Sequence, residues 1–318
     1  MNRIGALMLA GTMLVVVGCD RREARESESS ESARKPLEWK LVDQALGKPG
    51  ALQPDAAYKV GLPRGDLHVT AAGVVIKPTL ALGSWVAFTQ VSDTDAMLMG
   101  DLVLLESEIA PVLGQLQEGG IEQTALHNHL LQESPHVMYL HIAGHGTPAR
   151  LAGAIHAALV HTGTPLGAPP PPVAAPAGAF GIDTAQIGEM LGYHGKVNGG
   201  VYQVGVPRAE TVTADGIAVP PSMGLATAIN FQPTGSGKTA ITGDFVLLGS
   251  EVNAVIRALR GNGIAITALH SHMLTDTPHL FFVHYWANDD ALKLARGLRA
   301  ALDKMNVEGP ANAQGVHR

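Results

Sequence analysis

A chain of 318 residues with 46% hydrophobic content can build two domains of ordinary size, with mainly aliphatic cores because aromatics supply only 4%. The 22 Lys and Arg against 28 Asp and Glu leave a net charge of −6, which excludes the basic surface needed to bind nucleic acid. A single cysteine excludes an intrachain disulfide.

The chain opens with Arg3, an apolar run from Ile4 to Val17, and then Gly18-Cys19. The run is too short to span a bilayer comfortably. The layout is that of a bacterial lipoprotein signal: a basic start, an apolar segment, a small residue, and a cysteine that becomes the lipidated N-terminus. Residues 1–19 are therefore expected to be a signal segment, with lipid on Cys19. The mature protein is expected in the cell envelope, at the outer face of the cytoplasmic membrane or in the periplasm, with the membrane as its partner through the lipid. Asp20 resembles an inner-membrane retention residue. Residues 20–36 mix acids, arginines and serines without apolar period and read as a flexible tether.

Residues 37–161 form the first expected domain. Leu41, Val42, Ala45 and Leu46 have helical spacing, and Gly47 is a stop. Strands are expected over residues 58–63, 69–76, 85–91 and 101–105, separated by Gly and Pro. Residues 108–116 carry a helical stripe of Ile109, Val112, Leu113 and Leu116 that ends at Gly119-Gly120. Residues 121–131 and 137–143 read as a hairpin around Ser134-Pro135, and residues 148–160 as a closing helix. Residues 162–178 contain Pro169 to Pro172 and read as a semi-rigid linker.

Residues 179–305 repeat the first domain, and 306–318 form a tail. Tyr202-Gln203-Val204-Gly205-Val206-Pro207-Arg208 matches Tyr58-Lys59-Val60-Gly61-Leu62-Pro63-Arg64, and Gly243-Asp244-Phe245-Val246-Leu247-Leu248 matches Gly100-Asp101-Leu102-Val103-Leu104-Leu105. The expected class is α+β: two tandem homologous domains, each a strand meander followed by β-α-β-β-α, with helices on an antiparallel sheet.

Eight of the 14 histidines fall in two equivalent arrays. His127, His129, His136 and His141 recur as His270, His272, His279 and His284, all at an offset of 143, while His68, His145 and His156 have no counterpart. Imidazoles two apart on a strand share a face and can chelate one ion. His136 has the wrong parity for that face and needs a bulge or a different shell. Glu133 and its counterpart Asp276 are candidate carboxylate ligands or general bases, and Glu108 and Glu251 are further candidate ligands. Such a set, without cysteine, suits zinc, manganese, iron or copper.

Strand parity places His127, His129 and His141 on one face and Leu126, Leu130 and Leu140 on the helix-covered face. Each repeat is then expected to hold its own site, roofed by early strands with Trp85 or Tyr58 nearby. His127-x-His129 followed by Glu133 also fits the first metal motif of cupins, but no second motif accompanies it. Gly235-Ser236-Gly237-Lys238-Thr239 lacks the first P-loop glycine, which falls at Gln232, and reads as a turn; Arg64-Gly65-Asp66 reads the same way.

The Val-Gly-Cys signal, the paired Gly-Asp-x-Val-Leu-Leu-x-Ser-Glu segments and the paired Ala-Leu-His-x-His motifs together resemble the LppY/LpqO lipoprotein family. That resemblance implies an exported lipoprotein and no established activity. The expected function is divalent-metal binding or sensing by a membrane-anchored lipoprotein. The alternatives are a metal-dependent hydrolase or cupin-like oxygenase with Glu133 as base, and a metal-free scaffold for a protein or small-molecule partner.

Overall fold

The structure, a computed structural model, describes residues 34–167 and 180–309. Cys19 and its signal segment, most of the tether, the linker's proline run and the end of the tail lie outside the described residues. Both repeats belong to one compact unit, Pro36–Arg318.

The first repeat opens with α1 (Lys40–Leu46), which ends at Gly47 in the left-handed region, φ 77°, where glycine carries no Cβ penalty. Then come β1 (Ala51–Leu52), β2 (Tyr58–Pro63), β3 (Thr70–Ala71), β4 (Val74–Val75) and the short α2 (Pro78–Ala81). β5 (Gly83–Gln90), β6 (Ala96–Leu105), α3 (Glu106–Glu118), β7 (Glu122–His127), β8 (Glu133–Ser134), β9 (Val137–Gly146) and α4 (Pro148–Leu159) complete it. The strand expected over residues 69–76 is instead a tight hairpin, β3 to β4. Ala72 and Gly73, both at positive φ, turn the chain over.

The second repeat runs in the same order: α5 (Thr184–Leu191), β10 (Lys196–Asn198), β11 (Val201–Pro207), β12 (Thr213–Ala214), β13 (Ile217–Ala218), β14 (Ala226–Gly235), β15 (Lys238–Leu248), α6 (Gly249–Gly261), β16 (Ala265–His270), β17 (Asp276–Thr277), β18 (Leu280–Asp289) and α7 (Ala291–Leu302). Both repeats are α+β, as the sequence implies.

Each repeat forms a six-stranded sheet, ordered β1-β2-β5-β6-β9-β7 and β10-β11-β14-β15-β18-β16. β9 is antiparallel to both β6 and β7, so β6, α3 and β7 make a crossover whose two strands are split by β9. The pieces β8 and β17 leave these sheets and join three-stranded sheets with β3–β4 and β12–β13.

One face of each sheet carries its helices. Leu102, Leu104, Leu140 and Ile142 meet Val112, Leu116, Leu151 and Ile155 in the first repeat. The equivalent core of the second repeat joins Phe245, Leu247, Val283 and Tyr285 to Val255, Leu259, Leu294 and Leu298. The opposite faces bury each other. Ala87, Met97 and Met99 of the first sheet pack with Val246, Leu280 and Phe282 of the second, and Val103, Val137 and Tyr139 pack with Val201 and Ala240. The packing order is helices, sheet, sheet, helices, which explains why β6 is buried along nearly its whole length.

Residues flanking each repeat also dock. Lys48 Nζ donates to Pro165 O at 2.9 Å and Gly167 N donates to Gly47 O at 2.8 Å, so the first residues of the expected linker pack onto repeat one. The expected tail likewise begins by pairing, with Glu308 N donating to Pro207 O at 3.0 Å.

Candidate metal centre

The histidine-bearing faces are the two that meet. His127, His129 and His141 are roofed by His270, His272 and His284, not by early strands of their own repeat. His270, His272 and His284 come together within the second repeat as expected, but the two histidine faces also stack on each other, so the six rings form a single array between the repeats. Tyr58 lies on the helix side, stacked on Trp39 at 5.2 Å, and Trp85 packs in the intersheet core. Leu126 pairs opposite Leu140 and so shares its face, as parity implies, but it stays exposed, and Leu130 lies beyond the end of β7 and joins the intersheet core.

The array has approximate twofold symmetry. His127 and His270 stack at its centre, 3.5 Å between centroids. His129 stacks on His284 at 3.7 Å, and His141 on His272 at 3.6 Å. Within a repeat, the central ring lies 4.9 Å from His129 and 5.0 Å from His141, and the second repeat gives the same 4.9 and 5.0 Å. The outer rings are backed by aromatics: Tyr139 lies 3.3 Å from His129, and Phe282 lies 3.3 Å from His272.

Local structure fixes these positions. A register shift in β7 between Gln123 and Ala125 leaves Thr124 outside the ladder, and β16 has the same bulge at Thr267. Thr124 Oγ1 donates to His272 O, and Thr267 Oγ1 to His129 O, both at 2.5 Å. Each repeat thus positions an outer histidine of the other. His284 Nδ1 donates to Gly243 O at 2.9 Å, and His141 bonds the backbone of Gly100 likewise. A carbonyl only accepts, so Nδ1 carries the proton and Nε2 presents its lone pair, the tautomer a metal-ligating histidine adopts.

Among the described residues, eight buried ring nitrogens have no hydrogen-bond partner: both from His127 and His270, and Nε2 from His129, His141, His272 and His284. Ligand atoms approach within 4.8 Å of one another in four sets: His127, His129 and His284; His127, His141 and His270; His270, His272 and His284; and Asp101, His129 and His141. Three of these sets draw on the array alone, and two of those span both repeats.

Burial is the main reason all six histidines titrate below the ordinary range, to about 4 for His270 and about 3 for His284. For all but His270, repulsion from neighbouring imidazoles adds to it. The array is therefore neutral and lone-pair-bearing at physiological pH.

Asp101 and Asp244 are site residues that the histidine spacing did not reveal. They pair in register with His141 and His284. Asp101 Oδ2 stands 3.9 Å from His129 Nε2, and its buried Oδ1 is unpartnered. Burial, then the charge of Asp244, raises Asp101 to about 8, and burial raises Asp244 to about 7. Lys59, lowered by burial to about 8, favours the charged form of both. It lies over Trp85 at 4.2 Å and donates to Ser222 O at 2.7 Å. The available signal was a lone acid at the same position of two strands, each time after a glycine and before an apolar run.

The other candidates lie elsewhere. Glu108 binds Arg64 at 2.7 and 3.0 Å and accepts from Leu105 N and Gly163 N. Glu251 binds Arg208 at 2.8 and 3.3 Å and accepts from Leu248 N and Asn306 N. Both cap a helix against a buried arginine and are not in the array. His136 sits exposed between Glu106 at 3.0 Å and Glu133 at 3.5 Å. His279 pairs with Asp276 at 2.7 Å. These two pairs form separate clusters at the turn, and among the described residues none of the four sets includes Glu133, His136, Asp276 or His279.

No curated protein matches the chain. A solved trimeric bacterial microcompartment shell protein, PduB, aligns at 15% identity over 80% of this chain and 89% of that one. Its TM-score of 0.20 is too low to carry an argument. The two segments that fold alike here, residues 40–161 and 185–304, each match one family, so the chain belongs to the family described as Domain of Unknown Function (DUF1259), present in two tandem copies.

Proposed function

We propose that this protein is an exported, lipid-anchored lipoprotein that binds divalent transition-metal ions in one six-histidine site shared by its repeats. The observation that carries the reading is the eight partnerless ring nitrogens, buried together and converging across the repeat junction. An unsatisfied buried polar group costs about 1–3 kcal/mol, and metal ligation gives such nitrogens the partners they lack. The donor set of imidazoles and an adjacent carboxylate suits zinc, manganese, iron or copper. Binding is favoured over hydrolysis or oxygenation because Glu133, the candidate base, stands with His136. Membership of the LppY/LpqO lipoprotein family, supported by the N-terminal signal and the paired Gly-Asp and Ala-Leu-His-x-His motifs, belongs to the same proposal, as do lipid on Cys19 and a place in the cell envelope, which rest on the signal.

The test is elemental analysis of full-length protein purified without a His tag, followed by melting with and without chelator. A ligand that binds only the native state at 100 times its Kd adds about 2.7 kcal/mol of stability. Wild type is expected to carry metal and to melt lower with chelator. His127→Ala with His270→Ala is expected to lose both effects. A wild-type melt indifferent to chelator and to added metal would overturn the metal reading. Cys19→Ser is expected to leave the membrane fraction; unchanged fractionation and mass would overturn the lipid anchor.

A further inference from the structure

The two ends of the array differ. At the His141–His272 end lies a cavity of about 370 Å³, lined by Met97, Met99, Met273, His145, Ala143 and Thr124. Met97 and Met99 pair in register with His145 and Ala143, which continue outward from His141 along β9. Met273 directly follows His272. Glu122 and Asp215, both exposed, add negative charge to the cavity wall.

The symmetry-related end has no thioether. There Ala240 and Thr242 replace Met97 and Met99, Trp286 replaces Ala143, Asn288 replaces His145 and Leu130 replaces Met273. Leu130, Ala240 and Trp286 fill that end as apolar core. The fold therefore closes this position once, with Leu130, Ala240 and Trp286. At the other end three methionines, which also belong to the intersheet core, line a space that they leave open.

Thioethers are soft, neutral donors that select monovalent copper over hard or borderline dications, and an imidazole completes such a shell. We infer that Met97, Met99, Met273 and His145 form a second metal site, specific for Cu(I), at the open end of the histidine array. It is distinct from the array in donors and ion preference, and no electron transfer is needed for it to bind. Ag(I), also soft and monovalent and inert to oxidation, is a matched probe.

The test uses full-length protein given one equivalent of Cu(I), or Ag(I), under anaerobic conditions. X-ray absorption reads the donor atoms, and competition with a chromophoric Cu(I) chelator reads affinity. Wild type is expected to show sulfur in the metal's shell. Met97→Leu, Met99→Leu and Met273→Leu combined conserve volume; this variant is expected to lose the sulfur signal and at least tenfold in Cu(I) affinity, with Zn(II) uptake by the array unchanged. Ala143→Trp, which copies the closed end, is expected to block Cu(I) and serves if the triple variant misfolds. Absence of sulfur scattering in wild type overturns the inference, as does equal Cu(I) affinity in the variants. Failure of Zn(II) to bind wild type, with sulfur-ligated Cu(I) intact, overturns the array proposal and leaves this one standing.

Discussion

His127 and His270 show what a shared interface asks of a side chain. Stacked at 3.5 Å with every ring nitrogen buried and unpartnered, they disfavour the second proton that would charge them. The buried carboxylic acids beside the array impose the opposite demand. The six histidines are held below their free value of 6.5, so between that value and about 4 the unfolded chain binds their protons and the folded chain does not. Asp101 and Asp244 rise from 3.8 to about 8 and about 7, so over the same range the folded chain holds two protons the unfolded chain lacks. Near pH 5 these groups together make unfolding take up roughly four protons, and stability falls with acid. Between pH 6.5 and about 7 the histidine protons left on the unfolded chain come into balance with those on the aspartates, and toward pH 8 Lys59, lowered to about 8, offsets the aspartates. Metal-free protein is therefore expected to lose melting temperature steeply below about pH 6.5 and to change little from about pH 7 to 8. Calorimetry in chelator from pH 4 to 8.5 checks this; a melting temperature that stays level from pH 6.5 down to 4 would contradict the burial of a neutral array.

At the scale of elements, the repeated Gly-Asp pair has a packing cause. A Cβ on Gly243 would collide with Ala228 O on β14, and one on Gly100 would lie 2.9 Å from Trp85 O on β5. Glycine lets each central strand approach its neighbour while the next residue, an aspartate, turns to the intersheet side. The Ser-Glu that ends the same motif does different work. Arg64 is fully buried, and its guanidinium bonds Glu108, Asp66 and Val103 O. Removing one member of a buried pair leaves an uncompensated charge. Glu108→Ala is expected to cost about 3–5 kcal/mol in urea unfolding with metal content unchanged. Lost metal at unchanged stability would return Glu108 to the ligand set.

At the scale of the whole molecule, each repeat is incomplete. Its second sheet face holds three histidines and an apolar field that its own β3–β4 or β12–β13 segment covers in part and the other repeat completes. Residues 36–167 made alone are expected to associate in pairs that rebuild a stacked array, because an exposed apolar sheet face seeks a partner. Sedimentation reads the outcome, and a soluble, monodisperse monomer would show that the repeats fold independently and meet only incidentally.

The duplication, the α+β class and most element positions were legible in the sequence because they rest on local signals. β2 falls on the expected residues 58–63, α1 ends at Gly47, and strand parity assigns His127 and His141 to the face opposite Leu126 and Leu140. Ala72-Gly73 hid a hairpin that Asp215-Gly216 announces more openly in the second copy. What covers the histidine face was not legible. Parity says which side a residue takes and is silent on what approaches that side from residues more than a hundred positions away. Only tertiary packing decided that two arrays become one, that Asp101 and Asp244 join it, and that Glu108 and Glu251 are spent on buried arginines. The same packing closed one end of the array with Trp286 and left the other open beside three methionines.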